Sequence, residues 1–235
     1  MPKAHRGLQE RRLQPELMDD PNVDAEQHRA ALRGLARLNM ASFVERTVMR
    51  ELRALAGADP AHILDIAAGS GDLAVALARR SRRDGLPWTF GACDISQTAC
   101  ETIRERADAA GTQVDVVRAD VLNDPIPGSC DIAMCHLFLH HLTRPQIVGL
   151  LASMRNSARK AVLITDLRRT WLGFSLAWLA SRTLTRSPIV HHDALRSVEG
   201  ALTVPELRAC ADEAGLHPVR IRGVWPERMV LRCEL

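Results

Sequence analysis

The sequence contains no tyrosine, and its other aromatic residues number only four phenylalanines and four tryptophans. Proteins that bind single-stranded nucleic acid stack the bases on aromatic side chains, so this scarcity argues against that class. Long runs of like charge are also missing, because 31 basic and 28 acidic residues are mixed along the chain and leave a formal net charge of +3. A nucleic-acid-binding arm needs a basic run. We therefore expect no nucleic-acid partner.

Long hydrophobic runs and paired cysteine motifs are absent as well. The longest apolar stretch, residues 171–180, is shorter than the roughly 20 residues that span a bilayer. The six cysteines form no Cys-x-x-Cys pair and no His/Cys cluster at zinc spacing, and the first twenty residues are too polar for a secretory signal. We expect a cytoplasmic protein with free thiols, no metal site and no membrane span, for which peripheral membrane contact stays open.

The 235 residues, 46% hydrophobic and 25% charged, have the size and composition of one globular domain. From residue 63 onward, short apolar runs alternate with amphipathic segments, a pattern typical of βα units on a parallel sheet. The predicted strands cover residues 62–66, 88–93, 113–118, 130–135 and 160–165, and the predicted helices between them cover residues 72–82, 98–110 and 145–157.

Both ends of the chain depart from this alternation. At the C-terminal end, a capping box at Thr203 and Glu206 opens a helix that stops at Gly215. Two closely spaced apolar runs follow it and predict an antiparallel hairpin at the sheet edge. At the N-terminal end, residues 24–39 and 42–55 have helical patterns, with leucines 32, 35 and 38 at helical spacing. We expect residues 1–60 to form a helical extension that packs onto a domain of residues 61–235.

The connection between the fifth strand and the next helix, residues 167–203, is far longer than an ordinary loop. Long insertions at the carboxyl ends of parallel strands build pockets, and we expect this one to be a lid. Its apolar helix, residues 171–183, should be buried, either in the core or as the roof over an apolar substrate. The following residues 191–193, His-His-Asp, are expected either in a capped turn or beside the substrate.

The most informative segment is the Gly69-Ser70-Gly71 turn, which joins a buried strand directly to a helix. Glycines let a ligand approach the backbone, and the amides at the helix start face it. Asp94 ends the second strand, where a carboxylate can accept hydrogen bonds from ribose hydroxyls. Asp120 follows the third strand, in a position to meet an adenine amino group.

Together with Asp65, these residues place three carboxylates at the ends of adjacent strands. Such a groove repels a pyrophosphate and suits a ligand that carries an ammonium and a sulfonium, which favours S-adenosylmethionine over a nicotinamide cofactor. Aspartates at strand ends are often only helix caps, but three in register behind a glycine turn favour a ligand site. A nicotinamide-dependent oxidoreductase would also need a third loop glycine and a Tyr-x-x-x-Lys pair, which a chain without tyrosine lacks.

This combination resembles the class I S-adenosylmethionine-dependent methyltransferases over residues 61–235. The loop of residues 65–73 is similar to that of the ubiquinone/menaquinone-biosynthesis methyltransferases and their small-molecule relatives. Ala67 stands where the common pattern has a third glycine, a departure that those relatives share. The resemblance implies a Rossmann-like seven-stranded αβα sandwich with a C-terminal antiparallel hairpin, an N-terminal helical extension and a lid insert after strand five.

The resemblance also implies which residues bind the cofactor. They follow the first four strands and are Asp65, Ala67, Gly69, Gly71, Asp94, Ile95, Asp120, Val121 and His136. The first four would lie beside the methionine part, with the aspartate orienting its amine. Asp94 would hold the ribose, and Ile95 would pack against the adenine. Asp120 and Val121 would meet the adenine edge, and His136 would make a backbone contact to the cofactor.

The candidate catalytic residues are histidines, since a hydroxyl acceptor must lose a proton and the pKa of histidine lies near neutrality. His141 and His140 follow strand four, where the acceptor site of the family begins, and one of them should face the pocket. His191 in the insert could complete the base. Capping or packing is the alternative role for each.

Missing motifs narrow the acceptor. No Asn/Asp-Pro-Pro-aromatic motif follows strand four, and the paired glutamates of protein-arginine methyltransferases are absent. We expect an enzyme that methylates a small, rather apolar acceptor, phenolic, quinone-like or polyketide, with oxygen as the receiving atom. A C-methyltransferase of quinone or lipid biosynthesis and a non-catalytic binding subunit are the alternatives. Both a monomer and a homodimer remain open.

Overall fold

The computed structural model describes residues 8–19, 24, 26–27, 30–31, 34, 37–38 and 43–235. Seven strands form one sheet in the order β3-β2-β1-β4-β5-β7-β6. Their bounds are β1 Ala61–Ile66, β2 Trp88–Asp94, β3 Asp115–Arg118, β4 Cys130–His136, β5 Ala158–Leu167, β6 Val219–Val224 and β7 Arg228–Glu234. Each of the predicted strands is present.

The sheet is mixed, because it contains both parallel and antiparallel pairs of strands. The first five strands run parallel to their neighbours, whereas β7 lies antiparallel between β5 and β6. The predicted hairpin is therefore formed, with β6 as the outer strand. The prediction of a Rossmann-like seven-stranded sandwich with a C-terminal hairpin is confirmed.

Seven α-helices lie in the continuous described part, residues 43–235. Their bounds are α1 Val44–Ala56, α2 Asp72–Arg83, α3 Gln97–Ala109, α4 Arg144–Ser157, α5 Trp171–Leu184, α6 Pro188–Gly200 and α7 Val204–Glu213. Short 3₁₀ helices cover Leu17–Asp19 and Leu139–His141. The predicted capping box opens α7, where the Thr203 hydroxyl accepts the Glu206 amide and the Glu206 carboxylate accepts the Thr203 amide.

Alternating residues of the central strands feed two buried layers, because successive side chains of a strand point to opposite faces. On one face, α1 and α2 pack through Leu52 and Leu77 against Ile63 and neighbouring strand residues. On the other face, α4 and α7 pack through Leu151 and Leu207. Helix α1 is therefore part of the domain core, although its sequence lies in the predicted N-terminal extension.

The other predictions for the N-terminal part meet the structure only in places. Of the described residues of the predicted helix 24–39, residues 26–27, 30–31, 34 and 37–38 are helical, and residue 24 is not. Leucines 32 and 35 lie outside the described residues. Residues 8–19, called the N-terminal segment below, run over the end of the insert. There Arg11 donates to the carbonyls of Gly200 at 2.6 Å and Leu139 at 2.8 Å.

The insert contains two helices, and two expectations about it are wrong. Residues 191–193 lie inside α6, which Ser187 caps and Pro188 opens, so they form no turn. Helix α5 is not buried, because the exposed fractions of four of its large apolar side chains lie between 40% and 51%. The residues that it buries are Gly173 and Ser181. The small residues face the protein, Phe174 and Leu176 are half-buried, and these four large apolar side chains face outward.

No helix among the described residues is both long enough and apolar enough to cross a membrane.

Arg169 joins three parts of the chain. Its side chain is 2% exposed and pairs with Glu206 at 2.6 Å, and it donates to the carbonyls of Leu8 and Ala201. Removing this buried side chain leaves the carbonyls of Leu8 and Ala201 without their donor and takes the charged partner from Glu206, which is 36% exposed.

We expect Arg169→Ala to lower the free energy of unfolding by about 3 kcal/mol, as measured by urea denaturation. Arg144→Ala is the matched control, because Arg144 also pairs with a glutamate of α7 but both partners are about half exposed, and it should change stability little. Equal losses for the two variants would contradict the assigned role of Arg169.

Candidate functional site

The turn between β1 and α2 has the backbone that its glycines predict. Gly69 and Gly71 have φ angles of +54° and +71°, in the left-handed region. A Cβ on Gly69 would meet nothing within 4 Å, whereas one on Gly71 would lie 2.6 Å from Ile103. Ala67 also has a positive φ of 55°, the conformation that suits the glycine of the common pattern. Gly69 therefore faces open space, and Gly71 is required for packing against α3.

Asp65 is buried beside this turn and lacks a complete set of partners. It is 1% exposed, and its Oδ1 has no hydrogen-bond partner among the described residues. Burial first, and the nearby charge of Asp94 second, raise the pKa of Asp65 to about 8. A buried polar group without a partner is costly unless a ligand satisfies it. An ammonium group is the kind of ligand that fits this carboxyl.

Asp94 ties the end of β2 to the glycine turn. Its carboxylate accepts the Gly69 amide at 2.8 Å and the Ser96 amide at 2.9 Å. Ile95 beside it is 57% exposed. Capping is thus one real role of this carboxylate, and it also places the carboxylate against the turn that a ligand would approach.

Asp120 has a similar local role after β3. It accepts from the Asn123 side chain at 2.8 Å and from the Leu122 amide at 3.1 Å, and the Asn123 hydrogen bond is the main cause of its lowered pKa. Val121 is buried and lines a groove of about 740 Å³ between this connection and α4. Since β3, β2 and β1 are neighbours in the sheet, the three aspartates lie side by side at the carboxyl ends of these strands, as expected. Their roles toward a ligand stay predictions.

His136 at the end of β4 is turned into the protein. Its Nδ1 is hydrogen-bonded to the Thr165 hydroxyl at 2.6 Å, and its Nε2 lies 3.4 Å from a guanidinium nitrogen of Arg228. Burial, and secondarily the Arg228 charge, lower the pKa of His136 to about 3. The ring is therefore neutral, and only the backbone of His136 remains for the expected cofactor contact.

The strongest interaction at the site joins His140 to Asp166. Nδ1 of His140 lies 2.7 Å from Oδ1 of Asp166, and both side chains are at least 95% buried. Burial alone would lower the pKa of His140, but the charge and hydrogen bond of Asp166 offset this and raise the pKa above its ordinary value. Burial alone would raise the pKa of Asp166, and His140 holds it below its ordinary value. Sequence reasoning missed Asp166.

His141 has a different environment from its neighbour. It is exposed at the surface of the 3₁₀ turn, and its ring centroid lies 4.1 Å from that of His140. Although the residue reaches the surface, protein atoms packed around its ring keep water from part of it. This desolvation first, and the charge of His140 second, lower the pKa of His141 to about 4. It is neutral at pH 7 and a weak base.

The two histidines line a pocket of about 250 Å³. Its other walls come from the N-terminal segment and from α6, and they comprise Leu13, Gln14, Pro15, Glu16, Arg196, Ser197 and Gly200. Helix α5, expected to roof the pocket, does not line it. No local sequence pattern could have brought Glu16 or Arg196 here, because they lie far along the chain from the histidines. Asp166 did carry a signal, since it lies near the end of the strand beside β4.

The third candidate histidine lies elsewhere. Nε2 of His191 is 3.0 Å from the carbonyl oxygen of Thr185, and His191 is not among the pocket-lining residues. His192 contacts Asp193, whose carboxylate accepts the amides of Leu17 and Met18. This acidic residue therefore anchors the N-terminal segment.

Glu16, His140 and His141 each offer one metal-ligand atom, and these atoms lie within 4.8 Å of one another. They could hold a divalent ion. Each member also has partners in the protein, since Ser197 donates to Glu16 and Asp166 holds His140. The expected lack of a metal stays a prediction.

Residues 63–161 match a family model described as a methyltransferase domain. The match begins in β1 and ends in β5, so it contains the glycine turn, the three aspartates and both pocket histidines. Residues 63–161 therefore carry a methyltransferase domain. The methyltransferase family expected from the glycine turn and its acidic partners is confirmed for this part of the chain.

Solved structures with the methyltransferase fold agree with this. The fold is similar to that of the plantazolicin methyltransferase BpumL in complex with S-adenosylhomocysteine (SAH), with 14% identity, a TM-score of 0.65 and coverage of 92% of this chain and 91% of that one. It is also similar to magnesium protoporphyrin IX methyltransferase from Synechocystis with bound SAH, with 14% identity, a TM-score of 0.59 and coverage of 92% and 89%.

A third similar structure is a candidate O-methyltransferase from Nostoc punctiforme, with 15% identity and a TM-score of 0.64. The match covers 87% of this chain and 60% of that chain, so this chain spans less than two thirds of the length of the Nostoc protein. No curated protein matches the sequence closely enough to count as a relative. At these identities the similar structures bear on the fold and leave the acceptor open.

The two turn glycines should respond differently to the same substitution. Gly69→Ala introduces only backbone strain, about 1 kcal/mol of unfolding free energy, because open space surrounds the new methyl group. Gly71→Ala adds a collision with Ile103 and should cost about 3 kcal/mol. Urea denaturation of both variants measures the difference, and equal costs would show that Gly71 is not in close contact with α3.

Proposed function

We propose that this methyltransferase transfers a methyl group from S-adenosylmethionine to an oxygen atom of a small acceptor, with His140 as the general base. The observation that carries the proposal is the buried hydrogen bond of 2.7 Å between His140 Nδ1 and Asp166 at the wall of a pocket. A base oriented by a second group in this way is the usual arrangement for removing a proton from a hydroxyl.

The residues at the ends of β1, β2 and β3 fit the methyl donor. Bound S-adenosylmethionine supplies an electrophilic methyl carbon on a positively charged sulfur. Asp65 offers a buried carboxyl oxygen that lacks a partner, which suits the amine of the methionine part. Asp94 lies at the turn to accept the ribose hydroxyls, and the open space above Gly69 leaves room for the ligand. Similar folds that bind SAH support the same donor.

The acceptor side of the reaction is assigned to His140. Because Nδ1–H donates its hydrogen bond to Asp166, Nε2 is the nitrogen that is left to receive a proton. Nε2 would accept the proton of the acceptor hydroxyl, and bound S-adenosylmethionine would supply the methyl group to the hydroxyl oxygen, with the electrons of the carbon–sulfur bond remaining on sulfur. Asp166 then stabilises the imidazolium. The same pair weighs against a non-catalytic subunit, which has no use for a buried base beside a pocket.

The pocket supports a small acceptor of mixed polarity. Leu13 and Pro15 offer apolar contacts, while Glu16 and Arg196 offer charged ones. A ring that bears hydroxyl groups, as in a phenolic, quinone-like or polyketide compound, matches this lining. Oxygen is favoured over carbon because a hydroxyl can present its proton directly to the base. C-methylation of such a ring is the alternative.

Loss of the Asp94 carboxylate should weaken cofactor binding while the fold persists. Asp94→Ala is expected to reduce the affinity for SAH at least about tenfold, since two charge-assisted hydrogen bonds are lost. Isothermal titration calorimetry measures the affinity of the variant for SAH. Asp115→Ala is the control, because Asp115 lies at the other end of a parallel strand of the same sheet. Wild-type affinity in a folded Asp94→Ala variant would remove the ribose assignment.

Replacing the base should reduce turnover without affecting cofactor affinity. We expect His140→Ala to lower kcat by about 10²–10⁴-fold and His141→Ala to lower it far less, because His141 is a weak base. Single-turnover assays with labelled methyl donor and a panel of phenols and hydroxyquinones measure this. The reverse order of the two variants would assign the base to His141.

The pH profile tests Asp166 as a positioning residue. Because the base must be neutral, kcat should rise with pH through the pKa of His140, which Asp166 holds above 6.5. In Asp166→Asn, the charge that raises the pKa of His140 is gone, while burial still lowers this pKa. The pH at which kcat rises should therefore move down, and kcat itself should fall because the ring is less well oriented. A profile that keeps its midpoint in this variant would show that Asp166 does not act on the base.

A further inference from the structure

Three of the four tryptophans are at the surface. Trp88 is buried in the core, whereas Trp171, Trp178 and Trp225 are 40%, 47% and 65% exposed. Trp171 and Trp178 share helix α5 with Leu172 and Leu179, both 51% exposed. Large aromatic side chains are usually covered, so a cluster of exposed ones marks a surface that meets another apolar phase.

The turn that carries Trp225 adjoins the start of α5. The hydroxyl of Thr170 donates to Glu227 at 2.7 Å, and the Arg168 amide donates to the Glu227 carbonyl at 3.1 Å. The β6–β7 turn and the first turn of α5 are therefore one surface. We call Trp171, Leu172, Trp178, Leu179 and Trp225 the aromatic face.

The part of the chain that carries most of the aromatic face has charges of one sign only. Residues 167–192 contain no aspartate or glutamate. Arg182 stacks on Trp178, with its guanidinium carbon 4.6 Å from the ring centroid, and Arg186 is exposed after the end of α5. Glu227 is mostly buried and is paired with Arg168. The surface thus combines indole rings and leucines with Arg182 and Arg186, for which the described part of the chain provides no ion pair.

We infer that the aromatic face binds an anionic lipid surface. Tryptophans place their apolar rings at the level of lipid headgroups, leucines enter the acyl boundary, and arginines pair with anionic headgroups. A second copy of the chain fits less well. Two-fold contact through this face would bring its arginines against each other, with no acidic residue of residues 167–192 to pair them.

Lipid binding at this face does not depend on methyl transfer. If the proposed function holds, lipid binding would also bring the pocket close to the bilayer. Helix α5 leads directly into α6, and α6 supplies Arg196, Ser197 and Gly200 to the pocket wall. An acceptor dissolved in the membrane could then reach His140.

Vesicle flotation of the full chain tests the inference. The protein should float with phosphatidylcholine vesicles that contain phosphatidylglycerol, remain unbound with phosphatidylcholine alone, and be released by high salt. Trp178→Ser/Leu179→Ser and Arg182→Glu/Arg186→Glu should each weaken binding about tenfold or more. Methyl transfer need not occur for this readout, so its failure and the failure of the proposed function are distinguishable.

The controls match each variant in composition. Val117→Ser/Leu235→Ser removes two exposed apolar side chains from other surfaces, and Arg79→Glu/Arg83→Glu makes the same charge change on α2. Both should float like the wild type. No flotation with anionic vesicles, or equal losses in the controls, would overturn the inference. A wild-type dimer that Trp178→Ser/Leu179→Ser dissociates in light scattering, without lipid binding, would replace it with a contact between copies.

Discussion

A carboxylate buried at the end of β5 organises the acceptor side of this protein. Asp166 is 1% exposed, and an unpaired charge there would cost several kcal/mol. It is compensated by the imidazole and backbone amide of His140, at 2.7 and 3.2 Å, and by the amide of Leu167. These bonds fix the 3₁₀ turn that follows β4. The orientation of the His140 ring is therefore set by the need to pair a buried charge.

The same turn is held from its other side by the N-terminal segment. Arg11 donates to the carbonyls of Leu139 and Gly200, and Arg169 holds the Leu8 carbonyl near the end of α6. Segments far apart in the chain thus meet in one hydrogen-bonded unit around the pocket. Because this hydrogen-bonded unit holds the pocket wall, we expect acceptor binding to need little additional ordering of the chain. The N-terminal segment belongs to the site as much as the strand ends do.

The sequence predicted what short-range and periodic patterns determine. Period-2 and period-3.6 signals located each of the five parallel strands and the helices between them, and Gly69, Gly71 and the capping box at Thr203 fixed the turns and helix starts. The grouping of Asp65, Asp94 and Asp120 could also be predicted, because neighbouring parallel strands have their carboxyl ends at the same side of the sheet. The acceptor pocket could not be predicted, since Glu16 and Arg196 reach it through tertiary contacts. Asp166 was a missed inference, because its place beside the strand that leads to His140 was readable.

Helix α5 shows why hydrophobicity alone misplaced a helix. Its sequence is apolar on most sides, which ordinarily means burial. The sizes of its residues decide the orientation instead: Gly173 and Ser181, which allow close approach, are buried, and the indoles are left outside. A helix that packs through small residues and presents large apolar ones has a second apolar phase to meet. The insert thus consists of a polar helix, α6, that lines the pocket and an apolar helix, α5, that is exposed beside it. It therefore connects the acceptor pocket with the surface from which an apolar acceptor would arrive.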